Sequence, residues 1–208
     1  MKEIVLDHPF IKHKISILRD EKTCTKEFRE LINELSMLVC YEAMRDIKLV
    51  KGTVKTPITV TDSYLIDDDS YVFVPILRAG LSMVEGVVRL IPNAKIGHIG
   101  LYRNEETLKP VRYYYKMPTN IKNKKVVLLD PMLATGGSAV DSISMLKEEG
   151  VKDICFLCII AAPEGIEKIK RMHPDVEIYV ANLDEHLNEN GYIVPGLGDA
   201  GDRIFGTK

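Results

Sequence analysis

The chain has 208 residues, with 28 Lys and Arg against 30 Asp and Glu and a formal net charge of −2. Hydrophobic residues make up 46% and charged residues 28%. These values describe an ordinary soluble globular protein and exclude both a disordered chain and a nucleic-acid binder that works by bulk positive charge. The length suits one domain ahead of two small ones, and a chain this long buries well over half its unfolded surface without staples. Cys24, Cys40, Cys155 and Cys158 are spread in a way that does not suggest a disulfide framework. The start, MKEIVLDHPFIKHKIS, has no signal pattern, and no apolar run approaches the ~18 residues of a membrane span. The expected location is the cytoplasm, with reduced thiols.

The first twenty-odd residues, with His8 and His13, read as an arm on the surface or on a neighbouring subunit. A helix follows, because Phe28, Leu31, Ile32, Leu35 and Leu38 recur at three- and four-residue steps after a cap at Thr25. Leu49 to Val60 has a β-like pattern, interrupted afterwards by Asp67, Asp68 and Asp69, which read as a solvated turn ahead of a metal site. Tyr71 to Leu77 is an apolar strand, followed by a helix with Val84, Val87, Val88 and Ile91 on one face and Pro92 ending it. Strands are then expected at Ala94 to Tyr102, Lys125 to Leu129, Asp153 to Ile160 and Val176 to Val180. Helices are expected from about Ser138 to Gly150 and from Pro163, a favoured first-turn residue. Strands alternating with helices predict a parallel sheet, and continuous apolar strands predict cover on both its faces. Arg103 to Ile121 looks like an antiparallel hairpin. The glycine-rich tail from Asn182 to Lys208 has no period, yet its apolar residues argue that it is ordered.

The most informative segment is VVLLDPMLATGGSAVDSI, residues 126 to 143. Asp130 ends a buried strand, and ligands of open parallel sheets bind beyond such ends. Thr135, Gly136, Gly137 and Ser138 then open a helix, where bare N–H groups and the helix dipole favour an anion. A Walker loop would need a lysine after Gly137, and a dinucleotide fingerprint would need three spaced glycines after the first strand. Both are absent. The segment therefore predicts a phosphate cradle with a carboxylate beside it.

This stretch resembles the phosphoribosyl-pyrophosphate motif of the type I phosphoribosyltransferases. The motif usually ends its strand with two acids. Here Pro131 replaces the second, which resembles the uracil phosphoribosyltransferase branch. PILRAGLSM (75–83), IGLYRNEET (99–107) and GYIVPGLGDAGDRIFGTK (191–208) fit the same branch, so the resemblance covers nearly the whole chain. It implies a type I phosphoribosyltransferase-like parallel sheet flanked by helices, with a small C-terminal hood and a β-hairpin arm. The expected organisation is a single domain over 1–208, with a core at about 70–181 and a hood formed mainly by 182–208 with the N-terminal arm.

The implied reaction transfers the phosphoribosyl group of 5-phospho-α-D-ribose 1-diphosphate (PRPP) to N1 of uracil, giving UMP and diphosphate. The resemblance implies that Asp130, Pro131, Met132, Leu133, Ala134, Thr135, Gly136, Gly137, Ser138 and Asp199 bind PRPP. Asp130 would accept the ribose hydroxyls and favour a cationic ribose. Arg78 and Arg103, each following a strand, would hold the diphosphate, and a guanidinium suits such bidentate contacts. Asp130 and Arg103 are the expected catalytic residues. Ile193, Gly198, Asp199 and Ala200 would line uracil, with Pro195 stiffening the tail. Magnesium is the expected cofactor, held by diphosphate and water with Asp199 as the nearest carboxylate. The resemblance also implies a homo-oligomer and a possible GTP effector, and no nucleic-acid or membrane partner is expected.

Cys155 and Cys158 sit inside an apolar strand and read as buried thiols, neither redox pair nor zinc ligands. His98 reads as structural. Tyr113, Tyr114 and Tyr115 read as packing, since no basic residues interleave with them as on a nucleic-acid platform. The rivals are transfer to another base, an RNA-binding regulator on the same fold and a non-catalytic sugar-phosphate module. The tail argues against the first, near-neutral charge against the second, and the set of Arg78, Asp130 and Asp199 against the third.

Overall fold

A computed structural model describes residues 2–103 and 110–207. In chain order, β1 (Glu3–Val5) leads into helices α1 (Pro9–Arg19) and α2 (Thr25–Ala43). β2 (Leu49–Lys55) and β3 (Val60–Ile66) form an antiparallel hairpin. Next come β4 (Tyr71–Leu77), α3 (Leu81–Val88), β5 (Lys95–Ile96), β6 (His98–Arg103) and β7 (Pro110–Lys116). β8 (Lys125–Leu129), β9 (Met132–Leu133), α4 (Gly137–Glu148), β10 (Asp153–Ala161), α5 (Pro163–Met172) and β11 (Glu177–Leu183) follow. The tail holds β12 (His186–Leu187), β13 (Ile193–Val194) and α6 (Ala200–Phe205).

The main sheet runs in the order β1-β11-β10-β8-β4-β6-β7, with β5 beside β4 and β9 beside β10. Every pairing in it is parallel except β6 with β7. Alternate residues feed two separate cores. On β10, Cys155, Leu157 and Ile159 face the layer of α1, α2 and α3, while Ile154, Phe156 and Cys158 face α4 and α5. Both faces are thus dry, which is why the strands read as unbroken apolar runs. Cys155 and Cys158 point to opposite faces of one strand, so they cannot meet, and burial pushes both thiols up.

Several expectations are corrected. The N-terminal segment is not an arm. β1 extends the sheet edge beside β11, and α1 buries Ile11, Ile15 and Leu18 at helical spacing. The cap of α2 is Cys24, with Thr25 already helical. The β-like stretch from Leu49 to Val60 is only the first half of a hairpin whose ladder runs from Leu49–Ile66 to Lys55–Val60. Thr61, Asp62 and Ser63 hid its return strand. The strand expected at Ala94 to Tyr102 breaks at Gly97, where a Cβ would displace the Met117 side chain. The hairpin expected at Arg103 to Ile121 starts earlier, because β6 itself is its first strand. The tail is more regular than its sequence, with a two-residue ladder of β12 on β13 and the short helix α6.

Candidate active site

The carboxyl ends of β4 and β8 lie side by side, since Val74 pairs with Leu128 and Pro75 with Leu129. Beyond β4 comes Arg78, which is exposed and makes no ion pair among the described residues. Its guanidinium carbon stands 5.6 Å from the centroid of the Phe205 ring on α6. The turn after it folds tightly onto β8: a side chain on Gly80 would strike the Leu129 carbonyl oxygen. The Leu77–Arg78 peptide bond is cis.

Beyond β8 comes Asp130. Its N–H donates to the Leu157 carbonyl at 3.2 Å, so the ladder holds its backbone one residue past the strand. Among the described residues its carboxylate accepts only a long contact from the Met132 N–H, at 3.5 Å. Burial pushes the carboxyl up to about 7, against the weak opposing pull of that N–H. An acid tuned in this way, with no cation paired to it among the described residues, is a functional-site signal.

The loop after β9 reaches α4 through Gly136, which has φ 73° and caps the helix without any side-chain hydrogen bond. A Cβ on Gly136 would lie 2.9 Å from the Gly165 carbonyl oxygen. The glycine is therefore required twice, by its left-handed backbone and by its contact with the first turn of α5. The first N–H groups of α4 have no partner within the helix, and the Thr135 and Ser138 side chains beside them are exposed. A glycine turn and an open helix N-terminus thus follow β9, where the sequence places the expected cradle. Lys168 on α5 adds a cation that sequence reasoning missed: its Nζ is 3.8 Å from where a Cβ on Gly137 would be. An ammonium there opposes the helix dipole and suits an intervening anion.

The tail closes one side. A Cβ on Gly191 would sit 3.7 Å from the Thr135 methyl carbon, which puts Gly191 and Tyr192 next to the cradle. A cavity of about 470 Å³ is lined by Tyr192, Gly198, Asp199, Asp202 and Arg203 of the tail with Glu21, Thr23 and Thr25 opposite. Asp199 caps α6 by accepting from the Asp202 N–H at 2.9 Å. The side chains of Ile193 and Ala200 are buried in the core, so these residues can offer a ligand only backbone. The Val194–Pro195 bond is cis. Arg103 ends β6, and its side chain and residues 104–109 lie outside the described residues. A second cavity, of about 490 Å³, lies at the opposite end of the sheet, where Lys125 is already paired with Asp153 and Glu177.

The chain folds as a mostly parallel α/β sheet, with Asp130 and the start of α4 beyond its strand ends. As fold alone, it resembles a hypoxanthine-guanine phosphoribosyltransferase of Bacillus anthracis, with TM-score 0.51 and 17% identity, over 74% of this chain and 78% of that one. Sequence carries the assignment further. The chain belongs to the uracil phosphoribosyltransferase family, whose model matches residues 5–207. Similar proteins include the uracil phosphoribosyltransferases of Clostridium beijerinckii, 58% identical, and of a Geobacillus strain, 56% identical. Each is matched over 100% of this chain and 99% of its own. A solved protein of Aquifex aeolicus is similar at TM-score 0.93 and 43% identity, over 99% of both chains. The reaction is transfer of the phosphoribosyl group of PRPP to uracil, giving UMP and diphosphate.

Proposed function

We propose that the strand ends and the tail divide this reaction as follows. The 5′-phosphate of PRPP rests on Ala134 to Ser138, taking the free N–H groups of α4 and the hydroxyls of Thr135 and Ser138. Asp130 accepts the two ribose hydroxyls. Arg78 and Arg103 take the diphosphate. Ile193 and Gly198 to Ala200 present backbone N–H and C=O groups to the uracil edge. The supporting observation is convergence: Asp130, the start of α4, Arg78 against α6, and Gly191 against Thr135 all meet at one end of the sheet.

In this arrangement the bond from the anomeric carbon to diphosphate breaks with its electron pair, uracil N1 bonds to that carbon, and the N1 proton is lost. Positive charge builds on the ribose between these events. A carboxylate at Asp130 stabilises it, and the arginines stabilise the leaving group. A base with an amine in place of a carbonyl would leave the tail's backbone groups unpaired and be rejected.

Magnesium fits the donor set. Among the described residues no cluster of three or more metal-ligating side chains exists, and isolated carboxylates suit an ion that keeps its waters and takes diphosphate oxygens. Asp199 is the carboxylate that would hold it, and the ion would neutralise the departing diphosphate. The test is UMP formation from uracil and PRPP with magnesium or with a chelator. Loss of turnover on chelation and recovery on magnesium addition is expected, and undiminished turnover in chelator would contradict the assignment. Turnover with another base and none with uracil would overturn the tail's role.

The reading includes a hood made by the tail over a cytoplasmic enzyme's site, and a homo-oligomer. Its support is the β2–β3 hairpin, where Leu49, Val50, Val54, Val60, Tyr64 and Leu65 are exposed and Ile58 at the tip is 92% exposed. An isolated two-stranded hairpin is marginal in water, and so much apolar surface calls for cover. Replacing Val54 and Ile58 with Lys should shift the sedimentation profile toward the single-chain mass of 23.5 kDa. An unchanged profile would place the interface elsewhere. A GTP effector follows from the family resemblance, and turnover compared with and without the nucleotide tests it.

A further inference from the structure

The tail is held by an ion pair that the proposed roles leave unexplained. Asp184 follows β11 as Asp130 follows β8, yet its side chain is 1% exposed. Arg19, the last residue of α1, meets it with both terminal nitrogens, Nη1 to Oδ2 at 2.8 Å and Nη2 to Oδ1. Asn182 Nδ2 donates to Oδ1 at 2.6 Å. The remaining contacts converge on one residue of the tail. The Gly196 N–H donates to Asp184 Oδ2 at 2.9 Å, and Arg19 Nη1 donates to the Gly196 carbonyl at 2.6 Å. Both polar groups of the Gly196 backbone are thus bound to the pair.

Gly196 lies between Ile193 and Gly198, inside the segment assigned to uracil. It has φ 63° and presses so closely on the Ile193 carbonyl that no Cβ fits. A second arginine ties the same segment to the same helix end, with Arg203 Nη1 donating to the carbonyls of Leu197 at 2.9 Å and Leu18 at 2.8 Å. Recognition by backbone groups has a particular weakness: no side-chain rotamer can correct a misplaced loop. The chain path must be fixed from behind, by groups that do not touch the base.

We infer that Arg19 and Asp184 are positioning residues for uracil, fixing through Gly196 the backbone that reads the base. The inference rests on the reading of Ile193 and Gly198 to Ala200 as the uracil site. The planar fork takes both carboxylate oxygens side by side while Nη1 also reaches the Gly196 carbonyl, a geometry that a point-like Lys ammonium does not reproduce. An amide at position 184 would turn one acceptor into a donor facing Gly196 N–H or the guanidinium.

The test is steady-state kinetics of Arg19→Lys, Asp184→Asn and Gly198→Val, with melting curves. For the first two, the KM for uracil should rise about tenfold or more, as a displaced positioning element requires. The KM for PRPP should rise much less than that for uracil, since the phosphate cradle on α4 is held independently and only Asp199 of the diphosphate side lies on the displaced segment. Gly198→Val should also raise the uracil KM. An unchanged uracil KM in both Arg19→Lys and Asp184→Asn would overturn the inference. If Gly198→Val still raised it, the base site would stand and only the positioning role would fall. If Gly198→Val left it unchanged too, the base-site reading would fall with it. Equal rises in both KM values, tracking a loss of melting temperature, would mark the pair as merely structural and also overturn the inference.

Discussion

Asp130→Asn should lower kcat by about 10²–10³-fold, the usual loss when one preorganised electrostatic partner of a transition state is removed. The same change should make the ligand-free protein more stable. Burial raises this carboxyl from 3.8 to about 7, so between those values the folded state binds more protons than the unfolded one. Ionising Asp130 therefore costs folding stability as pH rises, and the cost is complete above about pH 7. Asn escapes it. The variant's gain in Tm should be full at pH 8 and should vanish as pH falls toward the unfolded value of 3.8. Loss of activity joined to gain of stability is the mark of a group retained for chemistry. In the parent enzyme, kcat/KM for PRPP should fall about tenfold per pH unit below about 7. Parent-like turnover in the Asn variant, or a Tm loss at pH 8, would contradict the assignment.

Gly136→Ala should lower kcat/KM for PRPP about 10²-fold through two costs that act together. The left-handed backbone, at φ 73°, strains a residue with a Cβ by about 1–3 kcal/mol. The added carbon also meets the Gly165 carbonyl oxygen at 2.9 Å, so the loop must move off α5 and carry its N–H groups out of line. Gly137→Ala separates the two effects. Its backbone is helical, and beyond its own helix and chain neighbours its new carbon meets nothing closer than 3.8 Å among the described residues. It should keep its melting temperature while still narrowing the space above the cradle. Gly136→Ala should therefore lose both stability and PRPP affinity, and Gly137→Ala affinity alone. Parent-like PRPP kinetics in both variants would remove the phosphate from this loop.

The legible parts of the molecule are those whose cause is local. Val126 to Leu129 must be a buried central strand because four apolar residues in a row suit only a sheet covered on both faces. Asp130 and the Thr-Gly-Gly-Ser loop could then be placed at its carboxyl end before any coordinates. α1 was missed because its buried residues, Ile11, Ile15 and Leu18, number only three and basic residues lie among them, so its burial is set by α2 and β11. The return strand β3 was missed because both strands of that hairpin are exposed, which erases the alternation that marks a half-buried strand. The Arg19–Asp184 pair spans 165 positions, and no local pattern encodes such a meeting. A signal for half of it did exist: Asp184 ends a parallel strand just as Asp130 does. Lys168 became visible only when α5 was laid against the cradle.

The most direct test of the whole arrangement is a crystal structure of the protein with UMP. The expected result is the 5′-phosphate on the N–H groups between Ala134 and Ser138, the ribose hydroxyls on Asp130, and uracil on the backbone of Ile193 and Gly198 to Ala200. A nucleotide seated instead in the cavity at the opposite end of the sheet, beside Lys125 and Asp153, would contradict it.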